Sequence, residues 1–154
     1  MELKSGLSAL VTGGTSGIGR ALCIALAQKG IFVTVVDYSA DRGEEVASIS
    51  QEENLKFHSG LKFPSAIFGK WLRAAFEKHM KVYGSLDICI NCATSAPFHD
   101  DQTDGAGSLR DAINVNLLAV MDCTHRATLF GKGVRLNFLP TRKKASTSMC
   151  FAQR

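Results

Sequence analysis

The stretch Thr12-Gly13-Gly14-Thr15-Ser16-Gly17-Ile18-Gly19 lies between an apolar run and an amphipathic one. Upstream, residues 7–11 predict a short buried strand, and downstream, residues 20–29 predict a helix that ends at Gly30. A strand, a glycine-rich turn and a helix form the first half of a βαβ unit that binds nucleotides. Glycine allows the tight turn and the close approach of a pyrophosphate, which the helix N-terminus then holds.

A second predicted strand, residues 31–36, ends at Asp37. In such units a carboxylate about 20 residues after the glycines accepts hydrogen bonds from the ribose hydroxyls of a dinucleotide. The same charge repels a 2′-phosphate, so we expect NAD as the cofactor rather than NADP. A chance glycine turn is the alternative for the motif alone, but the strands, the helix and Asp37 around it disfavour chance.

Length and composition are those of one globular domain, with 154 residues, 45% of them hydrophobic and 21% charged. No apolar run reaches the roughly 18–20 residues that span a bilayer, and the first residues lack a signal-peptide pattern, so we expect a cytoplasmic protein. Five irregularly spaced cysteines argue against a disulfide framework. Cys89 and Cys92 spell Cys-x-x-Cys, but no second pair completes a zinc site, which favours free thiols over a redox or metal role.

The net charge of +4 is concentrated towards the C-terminal end, because seven lysines and arginines and no acidic residue follow Asp122. A basic segment can bind nucleic acid or a membrane surface. This one lacks interleaved aromatic residues, so we interpret 141–154 as a solvated, disordered tail. We expect neither nucleic acid nor a membrane as a partner.

Strands and helices alternate past Asp37 as well, and we see no internal repeat. Segments are expected in this order: an outer helix over 40–53, a loop over 54–64, a third strand over 65–68, a helix over 71–83, a fourth strand over 86–90, a polar loop over 95–108 and a helix over 109–127. The alternation predicts an α/β fold with a doubly wound parallel sheet, in one domain over 1–140.

Three stretches together resemble the short-chain dehydrogenase/reductase family, whose members transfer hydride to or from NAD(P). Residues 12–19 match the family's Thr-Gly-x-x-x-Gly-x-Gly motif, residues 86–93 are similar to its "LDILVNNAG" stretch, and residues 113–117 are similar to its "INVNL" helix. Cys92 and Thr94 depart from the pattern, where the family has Asn and Gly. The branch that the chain resembles is the NAD-preferring, hydroxyprostaglandin-dehydrogenase-like one.

The resemblance implies a Rossmann fold, NAD as cofactor and a small secondary alcohol or ketone as substrate. It assigns cofactor binding to the positions Gly13, Thr15, Ser16, Gly17, Ile18, Gly19, Asp37, Asn91 and Ala93. It also places Asn116 on the catalytic-tetrad position that anchors a proton-relay water. An equal alternative is an Asn that satisfies backbone groups between helix and strand, since its tetrad partners are absent.

The family's chemistry needs a tyrosine as acid and base, with a lysine four residues later. Tyr38 is followed at that spacing by Arg42 and Tyr83 by Asp87, so neither tyrosine forms the pair. Residues 133–140 are similar to a later family strand, which implies that the fifth strand and the catalytic helix are missing between 127 and 132. A smaller gap is expected at 68–71, where the family carries an Asp that touches the adenine.

These gaps lead to the hypothesis of an internally deleted family member, from a variant transcript, a gene-model error or a decaying copy. We expect an NAD-dependent oxidoreductase by resemblance, with this chain catalytically incomplete. The alternatives are a non-catalytic dinucleotide-binding or dominant-negative partner of a full-length member, and a basic-tailed interaction protein. Loss of a covering helix exposes apolar surface, so we expect marginal stability or a homo- or hetero-oligomer.

Overall fold

The computed structural model describes residues 3–38, 42, 46, 55–59, 68–95, 106–131, 135–139 and 149–153. Its six strands are β1 (Ser8–Thr12), β2 (Phe32–Asp37), β3 (Leu55–Ser59), β4 (Ile88–Asn91), β5 (Arg135–Leu139) and β6 (Met149–Gln153). They form one sheet in the order β3-β2-β1-β4-β6-β5. The four strands from β3 to β4 run parallel, whereas β6 is antiparallel to both β4 and β5.

Four helices accompany the sheet: α1 (Gly17–Gln28), α2 (Phe68–Tyr83), α3 (Ala106–Ile113) and α4 (Ala119–Phe130). A π-helical turn, Asn114–Leu118, joins α3 to α4, and in it the Ala119 N–H donates to the Asn114 carbonyl. Helical backbone is also found at Arg42 and Val46, within the expected outer helix. In the described part of the chain, no helix has the length and apolar character needed to cross a bilayer.

The sheet is covered on both faces, as a doubly wound α/β fold requires. All five residues of β1 are buried, which identifies it as a central strand. Alternate side chains point to opposite faces, so that Val11 packs in the layer of α1 and Leu10 packs in the layer of α2 and α4. The expected α/β fold with an incomplete sheet is therefore confirmed.

The expected third strand is wrong in its position. The structure places β3 at Leu55–Ser59, inside the expected loop, where it pairs in parallel with β2 from Val33 to Asp37. Phe68, the last residue of the expected strand, is instead the first residue of α2, and 65–67 lie outside the described residues. Residues 68–71, where a deletion relative to the family is expected, form the first turn of this helix, and the deletion itself stays a prediction. The sequence did not indicate this strand, because the polar residues Lys56 and His58 make an edge strand look like a loop.

The C-terminal end also differs from expectation. Met149–Gln153 forms β6 between β4 and β5, although it lies within the segment interpreted as a disordered tail. The apolar residues Met149-Cys150-Phe151-Ala152 explain the difference, since they suit a strand better than the basic residues before them do. Residues 141–148 lie outside the described part of the chain.

A buried polar network closes the amino edge of the sheet, where β1 begins. The Asp87 carboxylate accepts hydrogen bonds from the Ser8 N–H (2.9 Å) and the Ser8 hydroxyl (3.1 Å). His79 of α2 bonds the Thr34 hydroxyl at 2.7 Å and the Ser85 carbonyl at 3.0 Å. Since a carbonyl only accepts, Nε2 carries the proton and Nδ1 accepts from Thr34. Burial lowers the pKa of His79 to about 4, so this imidazole is neutral at pH 7.

His79 makes stability depend on pH. Because its pKa is about 4 in the fold and about 6.5 in the unfolded chain, the unfolded chain takes up the proton first as pH falls. The contribution is complete above pH 6.5 and is lost as pH falls towards 4, by roughly 3 kcal/mol. We expect the free energy of unfolding, measured with urea, to fall between pH 6.5 and pH 4 in the wild type. In His79→Gln it should fall less over the same range.

The control is His125→Gln, which changes an exposed histidine of α4. It should keep the wild-type dependence on pH. Equal slopes in wild type and His79→Gln would contradict the assignment of the effect to His79.

Candidate functional site

The predicted binding residues converge at the carboxyl edge of the sheet, where β1, β2 and β4 end. Thr12, the last residue of β1, lies opposite Val36 of β2 and Asn91 of β4. The glycine-rich loop follows β1 directly, and Asp37 is the last residue of β2. Clefts outside the carboxyl ends of parallel strands are where open α/β sheets bind ligands.

Gly13 brings the loop against the end of β4. Its φ of +66° is left-handed, and a Cβ here would lie 2.5 Å from the Ala93 nitrogen and 2.6 Å from the Cys92 carbonyl carbon. The Gly13 N–H donates to the Val36 carbonyl at 2.8 Å, so the loop is also tied to β2. Only glycine fits this position, for conformational and for steric reasons.

Gly19 and Gly17 serve two different purposes. A Cβ on Gly19 would overlap the Gly13 carbonyl, so Gly19 allows α1 to pack against the loop. Gly17 has a φ of +48° and no atom within 4 Å of a Cβ placed on it. Ser16, Gly17 and Ile18 are exposed on this outer side of the loop. The loop is therefore tight towards the protein and open towards solvent, as a phosphate cradle must be.

The N-terminus of α1 points its free N–H groups into the same open space. Its N-cap residue Ser16 is extended, with φ −143°, and makes no side-chain capping hydrogen bond. The first turn of α1 contains no acidic residue. No acidic side chain of α1 itself therefore lies at the positive end of its dipole, which would stabilise a bound phosphate.

Asp37 links the glycine loop to the end of β2. It is 5% exposed, and its Oδ2 accepts a hydrogen bond of 3.0 Å from the backbone N–H of Thr15. Its Oδ1 accepts from the Tyr38 N–H at 2.7 Å. A carboxylate oxygen can accept more than one hydrogen bond. Sequence reasoning identified Asp37 as a ligand residue but missed that it also fixes the loop.

The β4 side of the site contains Asn91 and Ala93. Asn91 is 3% exposed, and the Ala93 N–H lies 3.4 Å from the Thr12 hydroxyl oxygen. Asn116 stands in the π-helical turn nearby, where its Oδ1 accepts from the Ser95 N–H at 2.9 Å and its Nδ2 donates to the Ser95 carbonyl at 2.8 Å. These bonds fit the structural alternative for Asn116, because its amide satisfies both backbone groups of the loop after β4. No pattern in the sequence pointed to Ser95.

The two tyrosines lie at opposite edges of the sheet. Tyr38 follows Asp37 at the carboxyl edge and is 67% exposed. Tyr83 stacks on Phe32, the first residue of β2, with ring centroids 5.3 Å apart. Its hydroxyl is buried without a hydrogen-bond partner among the described residues, and burial raises its pKa. Tyr83 is thus remote from the glycine loop.

The Cys-x-x-Cys motif does not form a site of its own. Cys89 packs in the layer of α2 and α4, whereas Cys92 packs in the layer of α1, since residues at odd spacing point to opposite faces. Burial raises the pKa of Cys92 to about 11 and that of Cys23, its neighbour on α1, to about 12, so both remain thiols. Among the residues that the structure describes, no three His, Cys, Asp or Glu side chains are grouped to hold a metal ion.

A parallel sheet with a glycine turn into its first helix and a carboxylate at the end of its second strand defines a Rossmann-type fold. The sequence profile described as "short chain dehydrogenase" matches residues 8–130. The chain belongs to the short-chain dehydrogenase/reductase family.

Two curated relatives cover most of this chain. Dehydrogenase/reductase SDR family member 11 of Gallus gallus is 32% identical over 133 residues, which are 82% of this chain and 50% of the relative. The reductase FabG of Staphylococcus aureus, named for 3-oxoacyl-(acyl-carrier-protein), is 28% identical over 127 residues, 82% of this chain and 51% of the relative. The chain therefore spans about half the length of these relatives.

Solved structures give the same result. A mutant of a Serratia marcescens short-chain dehydrogenase/reductase matches with a TM-score of 0.71 and 29% identity, over 85% of this chain and 53% of that one. The 3-ketoacyl-(acyl-carrier-protein) reductase of Brucella melitensis, complexed with NADH, matches with a TM-score of 0.70 and 23% identity, over 82% and 50%. At that identity the second match shows the shared fold alone.

The contact between Gly13 and the end of β4 leads to a stability prediction. Gly13→Ala forces a left-handed alanine against the backbone of Ala93, so we expect a loss of about 3 kcal/mol or more in the free energy of unfolding. Gly84→Ala is the matched control, because Gly84 has a φ of +73° and no atom within 4 Å of an added Cβ. It should cost only about 1–2 kcal/mol in urea unfolding. Equal losses would show that the contact is unimportant.

Proposed function

We propose that this chain binds NAD at the carboxyl edge of its sheet and lacks the residues for the family's hydride transfer. The observation that carries the proposal is the bond from the Thr15 N–H to Asp37, which holds a glycine loop that is open at Gly17. The NADH in the Brucella melitensis structure, on the same fold, supports the choice of ligand.

The pyrophosphate fits the open side of the loop. It would lie against Gly17, where a side chain would otherwise fill the space, and accept from the free N–H groups at the start of α1. Ile18, 52% exposed, offers an apolar side chain beside it. Gly13, Thr15, Ser16 and Gly19 shape this cradle through their backbone.

The adenosine ribose is assigned to Asp37. Its hydroxyls would donate to the carboxylate oxygens, each of which already accepts one backbone N–H. A ribose 2′-phosphate would bring a second negative charge against this 5% exposed carboxylate, where water screens poorly. The charge therefore supports NAD over NADP. Asn91 and Ala93 complete the site from β4.

Bound NAD would supply a hydride acceptor, and NADH a hydride donor, for a secondary alcohol or ketone. The chain's own residues lack the proton-transfer partner for such a substrate, because Tyr83 is buried at the amino edge and Tyr38 lacks the lysine four residues on. Asn116 is the single catalytic-tetrad position at which the sequence has the family's residue, and its amide is hydrogen-bonded to the Ser95 backbone. Binding without turnover is the activity that these residues support.

A second proposal concerns a partner. Four exposed apolar residues recur every four positions along α3, the π-helical turn and α4. Each is at least 46% exposed, and they are Leu109, Ile113, Leu117 and Met121. This apolar stripe lies on one side of the helical segment, as residues at that spacing do. A stripe of this kind marks an interaction surface, and we propose that it seats a second copy of this chain. The same contact would let the chain act on a full-length family member.

Calorimetry tests the NAD site. NAD titrated into the purified chain should give a saturable heat, which Gly17→Val should abolish because its side chain fills the phosphate cradle. Gly84→Val is the matched control, since Gly84 is also left-handed but lies at the amino edge. NADP should bind at least tenfold more weakly than NAD, about 1.4 kcal/mol, and Asp37→Asn should narrow that difference.

Three results would contradict this proposal. The wild type gives no heat with NAD, Gly84→Val loses binding as Gly17→Val does, or the chain turns over a secondary alcohol with NAD. The last result would leave the binding site intact and overturn only the claim of catalytic incompleteness.

Sedimentation tests the stripe. We expect the purified chain to sediment as a dimer and Leu117→Glu to sediment as a monomer, because a charge in an apolar interface is costly. Val82→Glu is the control, since Val82 on α2 has the same exposed fraction as Leu117, 53%. A wild type that stays monomeric at every attainable concentration would refute the interface.

A further inference from the structure

Two thiols face each other in the core layer that contains α2 and α4. The Sγ atoms of Cys89, on β4, and Cys123, on α4, lie 3.4 Å apart. Both side chains are 1% exposed, and 34 positions of the sequence separate them. Neither forms a disulfide in this structure. The Cys-x-x-Cys motif in the sequence suggests a different pair, Cys89 with Cys92, but these two thiols lie on opposite faces of the sheet and cannot form a disulfide with each other.

We propose that Cys89 and Cys123 are a disulfide-forming modification site, at which oxidation by a peroxide fastens α4 to β4. A disulfide needs an S–S separation of about 2.0 Å, so the two sulfurs must approach by about 1.4 Å. The side chains already point at each other, and small rotations about both Cα–Cβ bonds share this movement.

The reaction balances with a peroxide as the two-electron oxidant. The Cys89 or Cys123 thiolate attacks one peroxide oxygen, the O–O bond breaks, and hydroxide leaves and takes up the thiol proton as water. The resulting sulfenic acid is attacked by the second sulfur, the S–O bond breaks, and a second water leaves. The two thiols are oxidised to one S–S bond, and the peroxide is reduced to water.

Oxidant reaches the pair when α4 separates locally from the sheet. A local opening of one helix is a small fluctuation compared with global unfolding, and it exposes both thiols in the same event. The fully buried residues of α4 are small, namely Ala119, Cys123 and Ala127, and its aromatic contact, Phe130 on Phe76, lies at the C-terminal end of the helix, so the turns around Cys123 bury little apolar area. Reclosure returns the two sulfurs to contact, which favours their pairing over further oxidation of either.

The other buried thiols are placed less well for this chemistry. Cys23 and Cys92 lie in the opposite layer, beneath the glycine loop, and the Cys23 sulfur would be only 2.8 Å from a Cβ placed on Gly14. The loop therefore packs over Cys23 without room for even a methyl group between them, which restricts rotation of this side chain. Opening of α4 leaves that layer closed.

Peptide mapping of the wild-type chain tests the proposal. After mild treatment with hydrogen peroxide, denaturation and alkylation without reductant, we expect the peptides of Cys89 and Cys123 to be joined, with the mass of two hydrogen atoms lost. The crosslink closes a long loop, so the melting temperature should rise by about 10 °C and return when a thiol reductant is added. The mapping uses the unaltered protein and does not depend on the folding of a core variant.

Variants separate this pair from the other cysteines. Cys89→Ala and Cys123→Ala should each abolish the crosslink and the rise in melting temperature, whereas the double variant Cys23→Ala/Cys92→Ala should keep both. The proposal is overturned if peroxide leaves Cys89 and Cys123 open to alkylation, or if either is found joined to Cys23, Cys92 or Cys150. A crosslink without any gain in melting temperature would overturn the fastening of α4.

Discussion

The hydrogen bond from the Thr15 N–H to the Asp37 carboxylate is the interaction on which the candidate site depends. Asp37 is buried, and a buried carboxylate is costly unless donors surround it. The glycine loop supplies one such donor, and in return the carboxylate holds the loop in place. Gly13 can then press against the end of β4, and Gly17 can remain open to solvent. One side chain thereby serves the fold and is the proposed ribose ligand, so a change at Asp37 would alter the loop geometry as well.

The sequence predicted those parts of the fold whose signal is local. β1, the loop, α1 and β2 lie within three residues of their predicted ends, because apolar periodicity, glycines and Asp37 stand close together. β3 was missed since its alternation contains Lys56 and His58 and its partner β2 is remote in sequence. β6 was missed for a different reason, since its apolar residues follow a basic segment and its partner β4 is remote in sequence. The π-helical turn and the Asn116–Ser95 bonds have no compositional signature, as they arise from backbone register and from packing.

Binding and hydride transfer draw on different parts of the family's fold. The residues proposed to hold NAD belong to β1, β2, β4 and the start of α1, all of which the structure describes. Transfer needs groups that stabilise the transition state as well as the bound ground state. The proposal of catalytic incompleteness rests on the two tyrosines, since Tyr83 packs against Phe32 at the far edge and Tyr38 projects into solvent. The chain spans about half the length of these relatives, and that half includes the residues proposed to bind NAD.

The packing of helix α4 supports the expectation that the chain is marginally stable or depends on a partner. Its inner face buries Ala119, Cys123 and Ala127, whereas Met121 and Leu129 on its other faces are at least 60% exposed. Hydrophobic stabilisation scales with the apolar area removed from water, so Ala119, Cys123 and Ala127 stabilise the helix weakly, Met121 and Leu129 contribute little, and the main large contact is that of Phe130 with Phe76. Two contacts could compensate for this weak packing of α4. A second chain would bury the outer residues, and a bond between Cys89 and Cys123 would fix the inner ones. Both act on one helix, so occupying the stripe would also protect the thiols, because it suppresses the opening through which an oxidant reaches them.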